Sequence, residues 1–428
     1  MSSLFGNLAI ASSALSANRQ GMSAVGSDVA NAATPGYHQE VTAFLPNAQG
    51  GVTASNTRVS DPPAAQAILS ALGTNGGATG QYQLLSVAQS IFPGAQSGGI
   101  QGALDQFWSA WQSLANDPTS LPARNQVLTQ AGVVSAQFNS ISQALGQLVQ
   151  QAQGQQATQV AQVNSILKQL GQLNQQIGAS PAGSGRDALE NKQSNLLQTL
   201  GGLVGVQGLR QANGTLALWN GGEEIVSGNG TTDTLAIPSG SAPMWSSGVA
   251  ATGGAVGGVN TARSQISGYV AELNALANSV ISGVNTAQIA GFDLAGHAGL
   301  PLFIGASAAT MGVNSAVGAN QLAASSSGAE GDGSNAQTIA DLGGAGVGSI
   351  AQQIASTTSQ IGADVAQAQS DQTASAQGLA NLQKAGAAIW GVNTDQAGIL
   401  MVEEQRAYQA AATYTQALSQ MMQTLVQL

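Results

Sequence analysis

The residues of this chain able to hold a metal or move a proton are few, and their spacing does not bring them together. His38 follows a Pro-Gly-Tyr turn and His297 sits in a glycine-flanked stretch. Neither belongs to a set of histidines and carboxylates at metal-ligand spacing, so both are expected to be exposed, non-ligand side chains. Asp293 opens a run that lacks carboxylates at its third and fifth positions and a glutamate at its twelfth, so it is not a calcium loop. Glu223 and Glu224 would point to opposite faces of a strand, and Glu403 and Glu404 would diverge by about 100° on a helix. Neither pair is an acid–base couple by itself. Serines abound without a G-x-S-x-G elbow, and the glycine-rich runs lack the Lys-Ser/Thr ending of a phosphate loop. The reading is of a protein that is not an enzyme and carries no cofactor or metal.

Composition points the same way. Charged residues make up 7% of the 428, against about 25% in ordinary globular chains. With 43% hydrophobic residues the chain is not of disordered composition, and its low charge suits surfaces that pack against copies of themselves. A net charge of −10 argues against nucleic acid and anionic lipid as partners. There is no cysteine, hence neither disulfide nor thiolate site. No apolar run approaches the roughly 20 residues of a membrane span, which predicts no membrane insertion. No basic segment precedes the first apolar residues, which argues against a cleaved signal peptide.

The elements that organise the chain lie at its two ends. Alternating steps of four and three from Leu4 reach Leu8, Ala11, Leu15, Asn18, Met22, Val25, Val29 and Ala32. The same steps taken backwards from Leu428 reach Leu425, Met421, Leu418, Tyr414, Ala411, Ala407, Glu404 and Leu400. Each is a heptad stripe with a single polar interruption, on a helix of roughly 45 Å. The two match in length and are expected to lie side by side. Isolated helix pairs usually need further burial, which predicts additional copies around them. On periodicity alone, each stripe also describes an ordinary amphipathic helix on a globular core.

The punctuation separates these readings. The first stripe closes on Asn31-Ala32-Ala33-Thr34-Pro35-Gly36-Tyr37: Pro35 pushes Thr34 out of the helical region, Gly36 permits a turn and Tyr37 can lock it. This wording resembles the ANxxTPGY signature of bacterial flagellar rod, hook and hook-associated proteins. The other end, Gly391-Val392-Asn393 through Gln405-Arg406-Ala407-Tyr408-Gln409-Ala410, resembles the closing GVN…QxAYQA pattern of the same families.

Between the ends the helical period dominates. Helices are expected at 61–72, 79–91 (stopped by Pro93-Gly94) and from Ile100, with Leu104, Phe107, Trp108, Trp111 and Leu114 as core. The longest follows the turn Thr119-Ser120-Leu121-Pro122-Ala123-Arg124 and runs to about Ile177, with a register slip in its Gln-rich interval. Another runs from Arg186 to about Leu200. Short apolar runs between Asn-Gly, Gly-Gly and Gly-Asn turns at 204–237 predict a small β insert, and the alternating run 52–59 a short strand. Helices return at 261–290 and from about Gly348 to Trp390, with Ile350, Ile354, Ile361, Val365, Ala368 and Leu379 buried; 325–334 is expected to be a flexible loop. The fold class is thus mainly α with a small β insert (α+β): paired terminal helices (1–37 and 391–428) in a coiled-coil-like arrangement, a helical bundle (38–200 and 261–390) and a compact β domain (201–260).

The 119–124 turn, Gly291 to Phe303 and Asn335 to Leu342 resemble hook-associated proteins of the FlgK type, the hook–filament junction proteins. That resemblance implies a structural subunit joining the flagellar hook to the filament as a homo-oligomeric ring. Its implied partners are the hook protein, a second hook–filament junction protein and an export chaperone at the C-terminal helix. It also implies an extracellular place on the flagellum, reached without a cleaved signal peptide. Its assembly residues would be Leu8, Leu15, Met22, Val25, Val29, Asn31, Thr34, Pro35, Gly36 and Tyr37 at one end. At the other they would be Gly391, Val392, Asn393, Gln405, Tyr408, Tyr414, Leu418, Met421 and Leu425. A hook or distal-rod subunit is the alternative; it would share the ends but carry mostly β sequence between them.

Overall fold

A computed structural model describes residues 2–34, 36–48, 50–92, 99–181, 183–238, 241–344 and 349–427. The chain is mainly α with small β additions. In order, it forms α1 (Ser2–Asn31), β1 (Glu40–Pro46), β2 (Val52–Arg58), α2 (Pro62–Ile91), α3 (Ile100–Asn116), α4 (Leu121–Ala179) and α5 (Ser184–Val204). Five short strands follow: β3 (Gln207–Arg210), β4 (Leu216–Asn220), β5 (Glu223–Val226), β6 (Leu235–Ala236) and β7 (Met244–Trp245). Then come α6 (Gly254–Ala290), β8 (Phe303–Ile304), β9 (Gly312–Val313), α7 (Ser334–Asp341), α8 (Ile350–Trp390) and α9 (Thr394–Val426). The helix stop expected at Pro93-Gly94 and the helix start expected at Gly348 lie outside the described residues.

Two compact units divide the chain, one formed by 1–77, 159–257 and 373–428, the other by 78–158 and 258–372. In the first, Leu167, Leu170, Leu200, Val204, Leu218 and Trp245 build the core between α4, α5 and the β insert. Strands β3, β4 and β5 form an antiparallel sheet, with β6 and β7 a separate pair. Asparagines on α4 complete the strand edges in place of a further strand. The Asn174 side chain accepts from Leu216 N–H at 2.9 Å and donates to its carbonyl at 2.7 Å; Asn164 does the same to Leu235, at 2.9 and 2.8 Å. Edge groups that would otherwise be buried and unpaired are satisfied from the helix.

The sequence reading differs from the structure at α2, which is one continuous helix where two were expected. Gly73, Gly76 and Gly77 read as a break because glycine disfavours helix interiors. They are there for close approach. A Cβ at Gly76 would lie 2.1 Å from the Gly202 carbonyl oxygen, and one at Gly73 would lie 2.8 Å from Gly205 Cα. The strand at 52–58 also gains a partner the sequence reading missed, β1, paired antiparallel from Glu40↔Arg58 to Pro46↔Val52.

The second unit is packed around Phe107, Trp111, Phe138, Leu145, Leu273 and Ile361, drawn from α3, α4, α6 and α8. Arg124 is buried here, its guanidinium donating to the carbonyls of Pro118, Ala319 and Leu322, so it ties the 119–124 turn to the 319–322 segment. The 325–334 loop is organised around Asp332, which accepts from the Ser326 and Ser327 amides and from the Ser325 hydroxyl. Along α4 the buried stripe keeps its four-three steps to Ala152, then takes consecutive four-residue steps through the fully buried Gln156 to Val160. This is the register slip.

Candidate functional site

Helices α1 and α9 pack on one another as an antiparallel pair. A Cβ at Gly26 would meet Met401 Cε at 3.6 Å, and one at Gly21 would meet Glu404 Cδ at 2.9 Å, so later residues of one face earlier residues of the other. On α1 the line runs through Leu8, Leu15 and Met22, all half-buried, to the buried Val25, while Val29 is 45% exposed. On α9 the line turned inward is Ala397, Met401, Glu404, Tyr408, Ala411, Thr415, Leu418 and Met422. The stripe stepped back from Leu428 shares Glu404, Ala411 and Leu418 with it, and its Leu400, Ala407, Tyr414 and Met421 point outward. Leu400, Tyr414 and Met421 are 43%, 49% and 48% exposed, and Gln405 is exposed as well. The Leu425 side chain lies outside the described residues. The helix pair thus leaves an apolar line, with Ile399 and Val402 beside it, facing away from α1.

Glu404 stands on the inner line because Gly21 leaves room for it. Its Oε2 is buried without a hydrogen-bond donor. Burial, with Glu403 next to it, holds its carboxyl above the ordinary value.

The turn after α1 is closed by Tyr37, as the sequence suggests, on a partner it did not single out, Asp28. Tyr37 donates its hydroxyl to Asp28 Oδ1 at 2.7 Å, and the Glu40 amide donates to the same atom at 3.0 Å. Asp28 is buried, and its carboxyl is raised by burial against the opposing effect of those two bonds. Being the single acid of α1, it was the available signal. Asn31 donates to the Ser27 carbonyl and accepts from the exposed Thr34 hydroxyl, continuing the last turn of the helix. Gly36 has φ +75° and abuts Asn195, where a side chain would meet the backbone nitrogen at 3.3 Å. Pro35 lies outside the described residues.

His38 corrects the expectation of an exposed residue. It is buried, its ring stacked on Trp390 with centroids 4.8 Å apart, and its Nδ1–H donates to the Val59 carbonyl at 2.7 Å. Burial, aided by the Arg58 charge, lowers its pKa to about 4. The Gln39 amide donates to the Trp390 carbonyl, so the turn after α1 and the end of α8 are joined twice. Arg58 on β2 reaches Asn191 and Ser194 of α5, at 2.8 and 3.0 Å. Burial, with Arg210 nearby, lowers its pKa to about 10. At the other end, Gly391 and Val392 are half-buried, and the exposed Asn393 caps α9 by accepting from the Asp395 and Gln396 amides.

His297 is exposed and approaches Asp293 at 3.5 Å, a pair the sequence reading did not count. Among the described residues no group of three histidines or carboxylates could hold a metal ion, and no helix is long and apolar enough to cross a membrane.

Residues 388–428 match the flagellar basal body rod FlgEFG protein C-terminal family. Residues 85–303, just over half of the chain, match the helical domain of the flagellar hook-associated protein FlgK, and the chain belongs to that family. Among solved structures it is similar to the flagellar hook junction protein FlgK from Burkholderia pseudomallei, at 28% identity and a TM-score of 0.51. That match covers 55% of this chain and 46% of the other, so it spans just under half of the relative's length. No curated protein sequence matches the chain.

Proposed function

We propose that this chain is a structural, non-catalytic subunit that joins the flagellar hook to the filament as a ring of identical copies. The observation that carries this reading is the terminal-helix pair. It closes on itself through Val25, Glu404 and Leu418 and still turns Leu400, Tyr414 and Met421 to solvent, a line suited to covering by neighbours. On this reading 1–37 and 391–428 act as the assembly module, 38–200 with 261–390 as the helical body, and 201–260 as an appended β module. The partners are the hook protein, a second hook–filament junction protein and, before export without a cleaved signal, a chaperone at α9.

Deleting the chain in its source organism should leave hooks built and filament subunits lost to the medium; cells that keep attached filaments would overturn the reading. The rod-type match of residues 388–428 favours a second reading, a hook or distal-rod subunit, and there the deletion would abolish the hook itself. Val25→Asp and Leu418→Asp, each placing a charge on the inner line, should abolish incorporation while circular dichroism keeps the helical signal.

A further inference from the structure

Between β1 and α9 lies a groove of about 260 Å3 lined by apolar, uncharged polar and acidic side chains. Val41 of β1, Val392 just before α9, and Ala397 and Leu400 within it are its apolar lining, interspersed with Gln39, Thr42, Asn393 and Gln396, and Asp28, Glu40 and Glu404 are its acids. Two of its apolar lining residues are exposed, Val41 to 52% and Leu400 to 43%. No lysine or arginine lines it. Asp28 is satisfied by Tyr37 and the Glu40 amide, and Glu40 accepts from Asn56, whereas Glu404 Oε2 has no donor.

We infer that this groove receives an arginine from the terminal-helix pair of a neighbouring copy of the chain. The inference rests on the ring reading above and names one of its contacts. Apolar and uncharged polar side chains beside three carboxyl groups match a side chain with a long aliphatic stem and a cationic, multiply donating head. The guanidinium would pair with the Glu404 carboxylate in a charge-assisted bond as that side chain turns from Gly21 towards the groove.

Charge complementarity selects a second copy as the occupant. The chain carries ten lysines and arginines at a net charge of −10. Arg19 and Arg406 are the cations of α1 and α9, both exposed, and neither has an ion-pair partner among the described residues. One helix pair thus presents an acidic groove and free arginines on different faces, as a head-to-tail contact repeated around a ring requires.

The native chain has no cysteine, so any disulfide comes from introduced residues. The test pairs Val41→Cys on the groove rim with Ser16→Cys, one helical turn from Arg19, or with Ala410→Cys, one turn from Arg406. Flagella are isolated from cells expressing each pair or each single variant and are then oxidised. Disulfide-linked multimers with at least one pair, and none with the single variants, are expected. Glu404→Gln should lower incorporation about tenfold, the loss of one charge-assisted bond. A chain present in the flagella at its normal level, with both pairs monomeric on denaturing gels, would overturn the inference alone. Absence of even the unmodified chain from the flagella would overturn the ring reading and this inference together.

Discussion

The Glu404 carboxylate of α9 lies directly over Gly21 of α1, so close that a methyl group there would sit 2.9 Å from both Cδ and Oε2. Glycine here is a space for an acid. The acid in turn is held in a poor place for its charge, with Oε2 buried and unpaired. In the free subunit, therefore, Glu404→Gln should raise stability at about pH 7. Because the folded carboxyl is raised above its ordinary value, the penalty it removes is present above the folded pKa and fades as pH falls through it. Thermal unfolding of both proteins should show a gap at about pH 7 that closes towards about pH 4. An equal gap at both would show that the charge is not the cause.

The glycines of α2 make a second, opposite test. Gly76→Ala would set a Cβ 2.1 Å from the Gly202 carbonyl oxygen, a backbone atom that cannot swing aside. Alanine's better helix propensity contributes about 1 kcal/mol, while forced displacement of a packed backbone costs typically 1–3 kcal/mol and here more. A net loss of at least about 2 kcal/mol in urea unfolding is expected. Gly154→Ala in α4, where nothing lies within 4 Å, should instead gain up to about 1 kcal/mol.

These two helices show what is legible in such a sequence. The α4 stripe could be read because a single face of a long helix is buried along its length, and its slip shows up where Gln156 replaces an apolar residue. The α9 stripe is right at Glu404, Ala411 and Leu418 and displaced by one residue at Leu400, Ala407, Tyr414 and Met421. The outward Leu400, Tyr414 and Met421 match in size the Met401, Tyr408 and Met422 that face α1. Hydrophobic size cannot tell a face packed within the subunit from one left for a neighbour. The α2 glycines were misread because propensity is a local property and the close approach they serve joins residues more than a hundred positions apart. Tyr37 was visible as a lock, but its partner Asp28 lay nine residues back, in a helix otherwise read for its apolar face.

Tyr37→Phe tests that lock. The substitution keeps the ring and removes the hydroxyl donor, leaving the buried Asp28 with the Glu40 amide as its remaining donor of the two. A loss of about 1–3 kcal/mol is expected, since a buried carboxylate loses a partner. Hydrogen exchange should place the loosening in residues 32–40 rather than in the second unit. Unchanged protection across 32–40 would mean that Gly36 and the backbone hold the turn without the tyrosine.

His38 gives the last prediction, a dependence on pH. Its folded pKa of about 4 lies below the ordinary 6.5 because burial against Trp390 and the nearby Arg58 charge disfavour the imidazolium. The unfolded chain therefore binds a proton that the folded chain refuses between those values. The stabilisation is full above about pH 6.5 and declines as pH falls towards about 4, by at most about 3 kcal/mol. The raised carboxyls of Asp28 and Glu40 work in the opposite sense, contributing below their unfolded pKa values and losing that contribution as pH rises. Comparison with His38→Phe isolates the histidine, since phenylalanine preserves the stack and removes the titration. At about pH 7 the variant should be slightly the less stable, having lost the bond to the Val59 carbonyl. As pH falls to about 4 the wild type should lose more stability than the variant, and the difference should shrink or reverse. Parallel stability curves for the two proteins over that range would show that His38 is protonated alike in the folded and unfolded chains.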